Sequence, residues 1–457
     1  MSAQLWAKGL PLDEAIHRFT VGDDPELDVR LLVHDALGSA AHARMLAHAG
    51  LLTQEDATAL VKALADIARK ARLNGIVISK EQEDVHTAIE ALLTAELGDA
   101  GKRIHLARSR NDQVILALRL YMREALLDAA LRTAALARNF LVFAKAHADQ
   151  PMPGYTHLRR AMPSSFGLWG TAFAAGLAEE LQAMQALYAR LDRCPLGAAA
   201  GFGVPLPIDR EYTARALGFS GVQISPVDVQ NSRGRHELAL LNAFASIGLT
   251  MEKFLWDVSL YSMQEFGFLK LPDAFTTGSS IMPQKRNPDV VELARGRCRE
   301  LRGYAAMVQE LASGLPSNYH RDLQLLKKPL FGAIASVHSW LDVLIALVPA
   351  LQVDAKKAAA ACSDDIYAAH QAYALVQEGM PFRDAYKQVG KQLQSGSFKP
   401  DREALTATHL GGAGNLGLGH IEAELTGVEH WLAATRERLA AAERDIWNSG
   451  MSGSKTK

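Results

Sequence analysis

Gly278-Ser279-Ser280-Ile281-Met282-Pro283-Gln284-Lys285-Arg286-Asn287-Pro288 opens directly onto an apolar stripe at Val291, Ala294, Cys298, Leu301, Ala305, Val308 and Leu311. The stripe steps by three and four residues, the period of one face of an α-helix. It predicts a helix of about 25 residues, close to 40 Å at 1.5 Å per residue. Segments 113–148, 165–192 and 235–265 carry the same long-helix pattern, the first two rich in alanine and leucine. A further stripe runs through Leu60, Leu64, Ile67, Ala68 and Ala71. Its expected start is Thr53, with Asp56 three residues on, and its stop lies near Asn74-Gly75. Strand composition is confined to 75–79 and 222–229. The predicted fold class is all-α, a bundle of long helices.

Three stretches between helices read as loops: 150–157, 194–207 and 267–288. Glycine followed by two serines predicts mobility at 278–280. Asn287 is the expected N-cap and Pro288 the first helical residue. Lys285, the Asn287 amide and a helix N-terminus then converge where an oxyanion could sit. Ordinary turn chemistry before a capped helix reads the same residues without a ligand.

The chain has 457 residues, 49% of them hydrophobic, and a formal net charge of -1. Such a balance argues against a nucleic acid or a membrane surface as main partner. Three widely spaced cysteines with no C-x-x-C pair suggest free thiols in a reducing compartment. Met1 to Lys8 lacks the apolar run of a secretory leader, and 337–353 is interrupted and too short to span a bilayer. A soluble cytoplasmic protein is expected. Composition turns more polar after about 355, and Ser449–Lys457 reads as a disordered tail. Three parts follow: an N-terminal helical domain 1–108, a central long-helix bundle 109–355 and a small helical domain 356–457.

Polar residues gather in three further places. Arg108-Ser109-Arg110-Asn111-Asp112-Gln113 suits carboxylates and amides, or is a helix start capped by Ser109 or Asn111. Thr156-His157 follows a Pro/Gly turn, and histidine moves protons near neutral pH, although most loop histidines are structural. In Tyr319-His320-Arg321-Asp322-Leu323-Gln324-Leu325-Leu326-Lys327, Gln324 and Lys327 share a helical face. No metal-ligand spacing is present, and Gly197 to Gly203 lacks a P-loop lysine, so neither metal nor cofactor is expected.

Taken together, these runs resemble the fumarase/aspartase superfamily, and within it the argininosuccinate lyase family. The resemblance spans about Phe19 to Phe331. It rests on Gly38-Ser39-Ala40-Ala41-His42, Glu83-Asp84-Val85-His86 with Ile89-Glu90, Arg108 to Gln113, Pro153 to His157, Pro195-Leu196-Gly197, the 278–288 loop and Tyr319-x-x-Asp322-x-Gln324. It implies a three-domain fold with a central long-helix bundle, assembled as a homotetramer whose active sites each draw on three chains. The implied reaction is the reversible elimination of L-argininosuccinate to L-arginine and fumarate in arginine biosynthesis.

Residue roles follow from the same resemblance. Ser279 matches the base that takes the carbon proton, and Glu292 the carboxylate paired with His157. His157 is the candidate acid, directly or through water. Lys285 and Asn287 match the holders of the succinyl carboxylate. Ser109, Arg110, Asn111, Thr156, Tyr319, Gln324 and Lys327 match substrate-binding positions. The chain departs from the family at Arg159 and Met162, where glutamine is usual, and at Asp24-Pro25, where an Asn-x-Ser-Ile run is usual. Asn231-Ser232-Arg233-Gly234 replaces a usual Ser-Asp-Arg-Asp. Other N-succinyl substrates, such as adenylosuccinate, and a non-catalytic role like that of lens crystallins stand as alternatives.

Overall fold

A computed structural model describes residues 13–73, 75–402 and 406–448. The leader region Met1 to Lys8, the expected helix stop at Asn74 and the tail Ser449–Lys457 lie outside them. In chain order the longer helices are α1 (Leu32–His48), α2 (Gln54–Arg72), α3 (Val85–Leu97), α4 (Arg110–Ala146), α5 (Phe166–Leu191), α6 (Arg235–Tyr261), α7 (Asp289–Ala312), α8 (Lys327–Ala350), α9 (Ala368–Gln377), α10 (Phe382–Gln394) and α11 (Leu418–Asn448). Thr53 caps α2 by accepting from the Asp56 N–H at 3.1 Å. On α7 the stripe from Val291 to Val308 is buried, as its spacing requires.

Helices α4 to α8 form the bundle, with α6 packed on α7, α7 on α8, and α4 on α5 and α8. Phe140, Phe173, Trp169 and Phe254 interlock at its centre. Within the segment after 355, α9 and α10 close over a small core of Ala372, Ala385, Val389 and Phe398. Helix α11 instead returns to the main core through Leu425, Val428 and Leu432.

The protein is mostly helical, not purely so. Strands β1 (Pro151–Thr156) and β2 (Arg159–Ser165) form an antiparallel hairpin where the sequence reads as a loop. Its three prolines, Pro151, Pro153 and Pro163, obscure the alternation that marks a strand, yet a two-stranded ribbon has free edges that tolerate them. Two shorter pairs join β3 (Leu269–Lys270) to β6 (Gln352–Val353), and β4 (Thr277–Gly278) to β5 (Arg286–Asn287). Neither expected strand forms: 75–79 is irregular, and Ser225 caps a helix at Pro226–Asn231.

Bundle ends are unlike each other. At one end the starts of α4, α6 and α8 meet the end of α7; an added Cβ on Gly234, just before α6, would lie 2.3 Å from the Cβ of Ala312. The other end carries the β1–β2 hairpin, whose Tyr155 ring lies 6.2 Å from Tyr261 at the end of α6, and the 278–288 loop at the start of α7.

Candidate active site

Five of the expected residues line one cavity at the first end. Arg110, Asn111, Tyr319, Gln324 and Lys327 surround about 190 Å³, together with Asp24, Glu83, Asp84, His86, Arg233 and Arg321. That is below the roughly 300 Å³ of a typical small-ligand pocket, so it has room for one end of a substrate.

Charge in this cavity is arranged in buried pairs. The Lys327 ammonium sits 2.6 Å from Asp28 and 3.0 Å from Asp24. Burial opposes its charge, but the two carboxylates hold its pKa above the usual lysine value. Burial pushes the Asp24 carboxyl up to about 6, Asp28 adding to the rise while Lys327 opposes it. Arg110 pairs with Asp84 and lies 3.6 Å from Glu83. Burial alone would raise Asp84; the charges of His86 and Arg110 and the Thr87 N–H bring it below its ordinary value. His86 Nδ1 lies 2.5 Å from Asp35, which outweighs burial and raises the imidazole pKa. Among the described residues its buried Nε2 has no hydrogen-bond partner.

Several expected binding groups are engaged in holding this end together. Ser109 is the cap of α4: its hydroxyl accepts from the Asn111 N–H at 3.2 Å while Asp112 accepts from the Ser109 N–H at 3.0 Å. The Gln324 amide donates to the carbonyls of Thr20 and Val21 at 3.1 and 3.0 Å. The divergent 231–234 run has local work to do. Asn231 accepts from the Asn318 N–H at 2.7 Å, and Arg233 donates to Glu237 at 2.9 Å and to the Leu323 carbonyl at 2.8 Å. Gly234 has φ of 79°, which glycine alone adopts freely.

The remaining candidates sit at the opposite end. The 278–288 loop is pinned by the β4–β5 pair, so only 279–285 project beyond the ladder. Asn287 belongs to β5 and caps nothing; Pro288 occupies the cap position of α7 with no side-chain bond. The Ser279 Oγ accepts from the backbone N–H of Ile281 at 3.3 Å and of Met282 at 3.1 Å. Two amide dipoles aimed at a hydroxyl oxygen favour negative charge on it. Lys285 is exposed, as are Glu292 in the first turn of α7 and Thr156 in β1.

His157 and Leu158 form the two-residue turn between β1 and β2, with φ of 52° and 57°. Left-handed backbone at two consecutive non-glycine residues is strained and holds both side chains outward. Among the described residues no hydrogen bond joins His157 to Glu292 within one chain. Sequence reasoning left out Asp24, Asp28 and His86 as site residues; the Glu83-Asp84-Val85-His86 run was the available signal for the last.

A protein-family model described as Lyase matches residues 13–303. The argininosuccinate lyase of Sorangium cellulosum is 45% identical over 426 residues, covering 93% of this chain and 99% of that protein. The argininosuccinate lyase of Phocaeicola vulgatus is 42% identical over 427 residues, covering 92% and 94%. Among solved structures, an EDDS lyase in complex with formate matches at a TM-score of 0.80 and 22% identity, over 96% of each chain. A class II fumarase from Schistosoma mansoni matches at 0.69 and 16%, over 87% of this chain and 97% of that one. At such identities the two structures speak to the fold alone, which is fumarase/aspartase-like.

Proposed function

Since the chain belongs to the argininosuccinate lyase family, we propose that it splits L-argininosuccinate into L-arginine and fumarate at sites shared between the chains of a cytoplasmic homotetramer. The observation that carries the shared site is the length of α7. Its 24 residues span about 36 Å at 1.5 Å per residue, with the Ser279 loop at one end and the Tyr319–Lys327 cavity wall at the other. One substrate cannot touch both in a single chain, which supports a site supplied by different copies. Val142, Leu249, Trp256, Leu293 and Met307 stand exposed on α4, α6 and α7, apolar surface that partner helices would cover. Helix α6 and the Arg321–Ala350 segment are apolar and long enough to cross a membrane, but only 44% and 56% of their apolar windows is buried within one chain. Burial against other copies accounts for the rest.

In this reading the chain has three parts, 1–108, 109–355 and 356–457, with the central part making the tetramer. Lys285 and Asn287 hold the succinyl carboxylate, and the cavity takes the amino-acid end. Ser279, as alkoxide, removes the carbon proton beside that carboxylate. The negative charge that develops is stabilised by Lys285, Asn287 and loop amides, each donor supplying about 3 kcal/mol. The leaving guanidine is strongly basic and departs protonated. His157 supplies that proton, oriented by a Glu292 from another copy. Closure of the 279–285 tip excludes water from the alkoxide.

The test is fumarate release, read by absorbance, from argininosuccinate and adenylosuccinate side by side. Release from argininosuccinate is expected; release from adenylosuccinate alone overturns the assignment. Mixing Ser279→Ala with Asn111→Ala chains, each inactive alone, should restore about a quarter of wild-type activity, because random assembly gives some sites both intact residues. No restoration would place both residues in one chain's site.

A further inference from the structure

Asp24 is a charged residue where the resembling family usually carries a neutral run, and it is a wall of the cavity. Its surroundings leave it in excess. The fully buried Asp28 already lies 2.6 Å from the Lys327 ammonium, and Asp24, at 3.0 Å, is a second carboxylate on that one cation. Arg110 is taken by Asp84 and Glu83, and Arg233 by Glu237. Nearby on the rim, Arg321 donates only to neutral oxygens, the Thr20 carbonyl at 2.9 Å and the Gln324 side chain at 3.2 Å. The cavity thus offers Asp24, a carboxylate that shares its cation with Asp28, and Arg321, a guanidinium with no carboxylate partner among the described residues, around the neutral groups of Asn111 and Tyr319. An α-amino acid carries the opposite pair of charges on adjacent bonds.

We propose that Asp24 is a specificity-determining residue that receives the α-ammonium of the substrate's amino-acid end, with Arg321 facing the α-carboxylate. This rests on the argininosuccinate reading above. The side chain of Asp24 is 14% exposed, enough for contact with a ligand and little enough for the contact to be strong. The same placement makes the deaminated ligand a poor one, because the only cation beside Asp24 among the described residues is Lys327, which Asp28 shares at 2.6 Å.

The test compares L-arginine with 5-guanidinopentanoate, its analogue without the α-amino group, by calorimetric binding to the wild-type enzyme and to Asp24→Asn. Wild type should prefer arginine about 10- to 100-fold, the value of a buried hydrogen bond between charged groups. Asp24→Asn should reduce that preference to about twofold or less, and Asp24→Glu should retain part of it. A wild-type enzyme that binds both ligands alike overturns the proposal, as does a preference that survives in Asp24→Asn. The first of these results does not depend on Asp24→Asn folding well, since it is read on wild type alone. If wild type releases no fumarate from argininosuccinate, the parent reading fails; fumarate release without the amino-group preference sinks this inference only.

Discussion

The cavity end of the bundle and its loop end differ in how their side chains are held. At the cavity, Lys327, Asp28, Arg110 and Asp84 bind one another, and Gln324 ties the 20–21 backbone to the start of α8. The candidate binding groups there are also structural ones. At the loop end, Ser279 bonds only within its own loop among the described residues, and Lys285 and His157 stand out from a short ladder and a strained turn. The ion pairs of the first end close within one chain, whereas in the proposed assembly the second end is finished by other copies.

The sharpest way to break this contrast is at Ser279. Ser279→Ala should lower kcat on the order of 10³-fold or more while leaving the melting temperature nearly unchanged, because besides the proton transfer it loses only two bonds within an exposed loop. Ser280→Ala should keep substantial activity. Equal activity of the two variants would remove Ser279 from its role.

Lys327→Met should do the reverse and unfold the protein first. It strands Asp24 and Asp28 without a cation in a buried site, a loss of about 3–5 kcal/mol measurable by urea unfolding. A near-neutral result would show the carboxylates to be better hydrated than their burial implies. Gly234→Ala comes next, at about 1–3 kcal/mol, since alanine must take a positive φ against Ala312. Its activity loss should follow its stability loss and no more.

The smallest effect concerns pH. The Asp24 carboxyl is raised from 3.8 to about 6, so the folded chain holds that proton more tightly than the unfolded one. Its contribution to stability is complete below about 4 and is lost as pH rises to about 6. Asp24→Asn removes that slope. The stability of the variant relative to wild type should therefore grow by roughly 2 kcal/mol between about pH 4 and pH 7. A constant difference would mean that Lys327 compensates Asp24 fully.

Long helices were legible because burial imposes a period, as the Val291 to Val308 stripe on α7 illustrates. Thr53 and Ser109 were legible as caps because capping is local chemistry. The β1–β2 hairpin was hidden by its prolines, and the expected strand at 222–229 overlooked the Ser225-Pro226 helix start. Asp24 and Asp28 look like surface residues in any composition, since burial of a charge depends on a lysine 299 residues beyond Asp28. The family motifs pointed to Ser279, His157 and Asn111, but motif order alone does not show that the bundle keeps Asn111 at the end opposite Ser279 and His157.

Helix α7 acts as a ruler. Adding one residue near its middle would turn the Ser279 tip by about 100° and slide it by about 1.5 Å relative to Tyr319, and would also swing half of the buried Val291 to Val308 stripe off the core. In the proposed assembly every copy would contribute a loop and a cavity wall set by the same rod, so one such insertion would put all of its sites out of alignment at once. Length changes are therefore safest in the segments that the rods do not measure, such as the small lobe around α9 and α10.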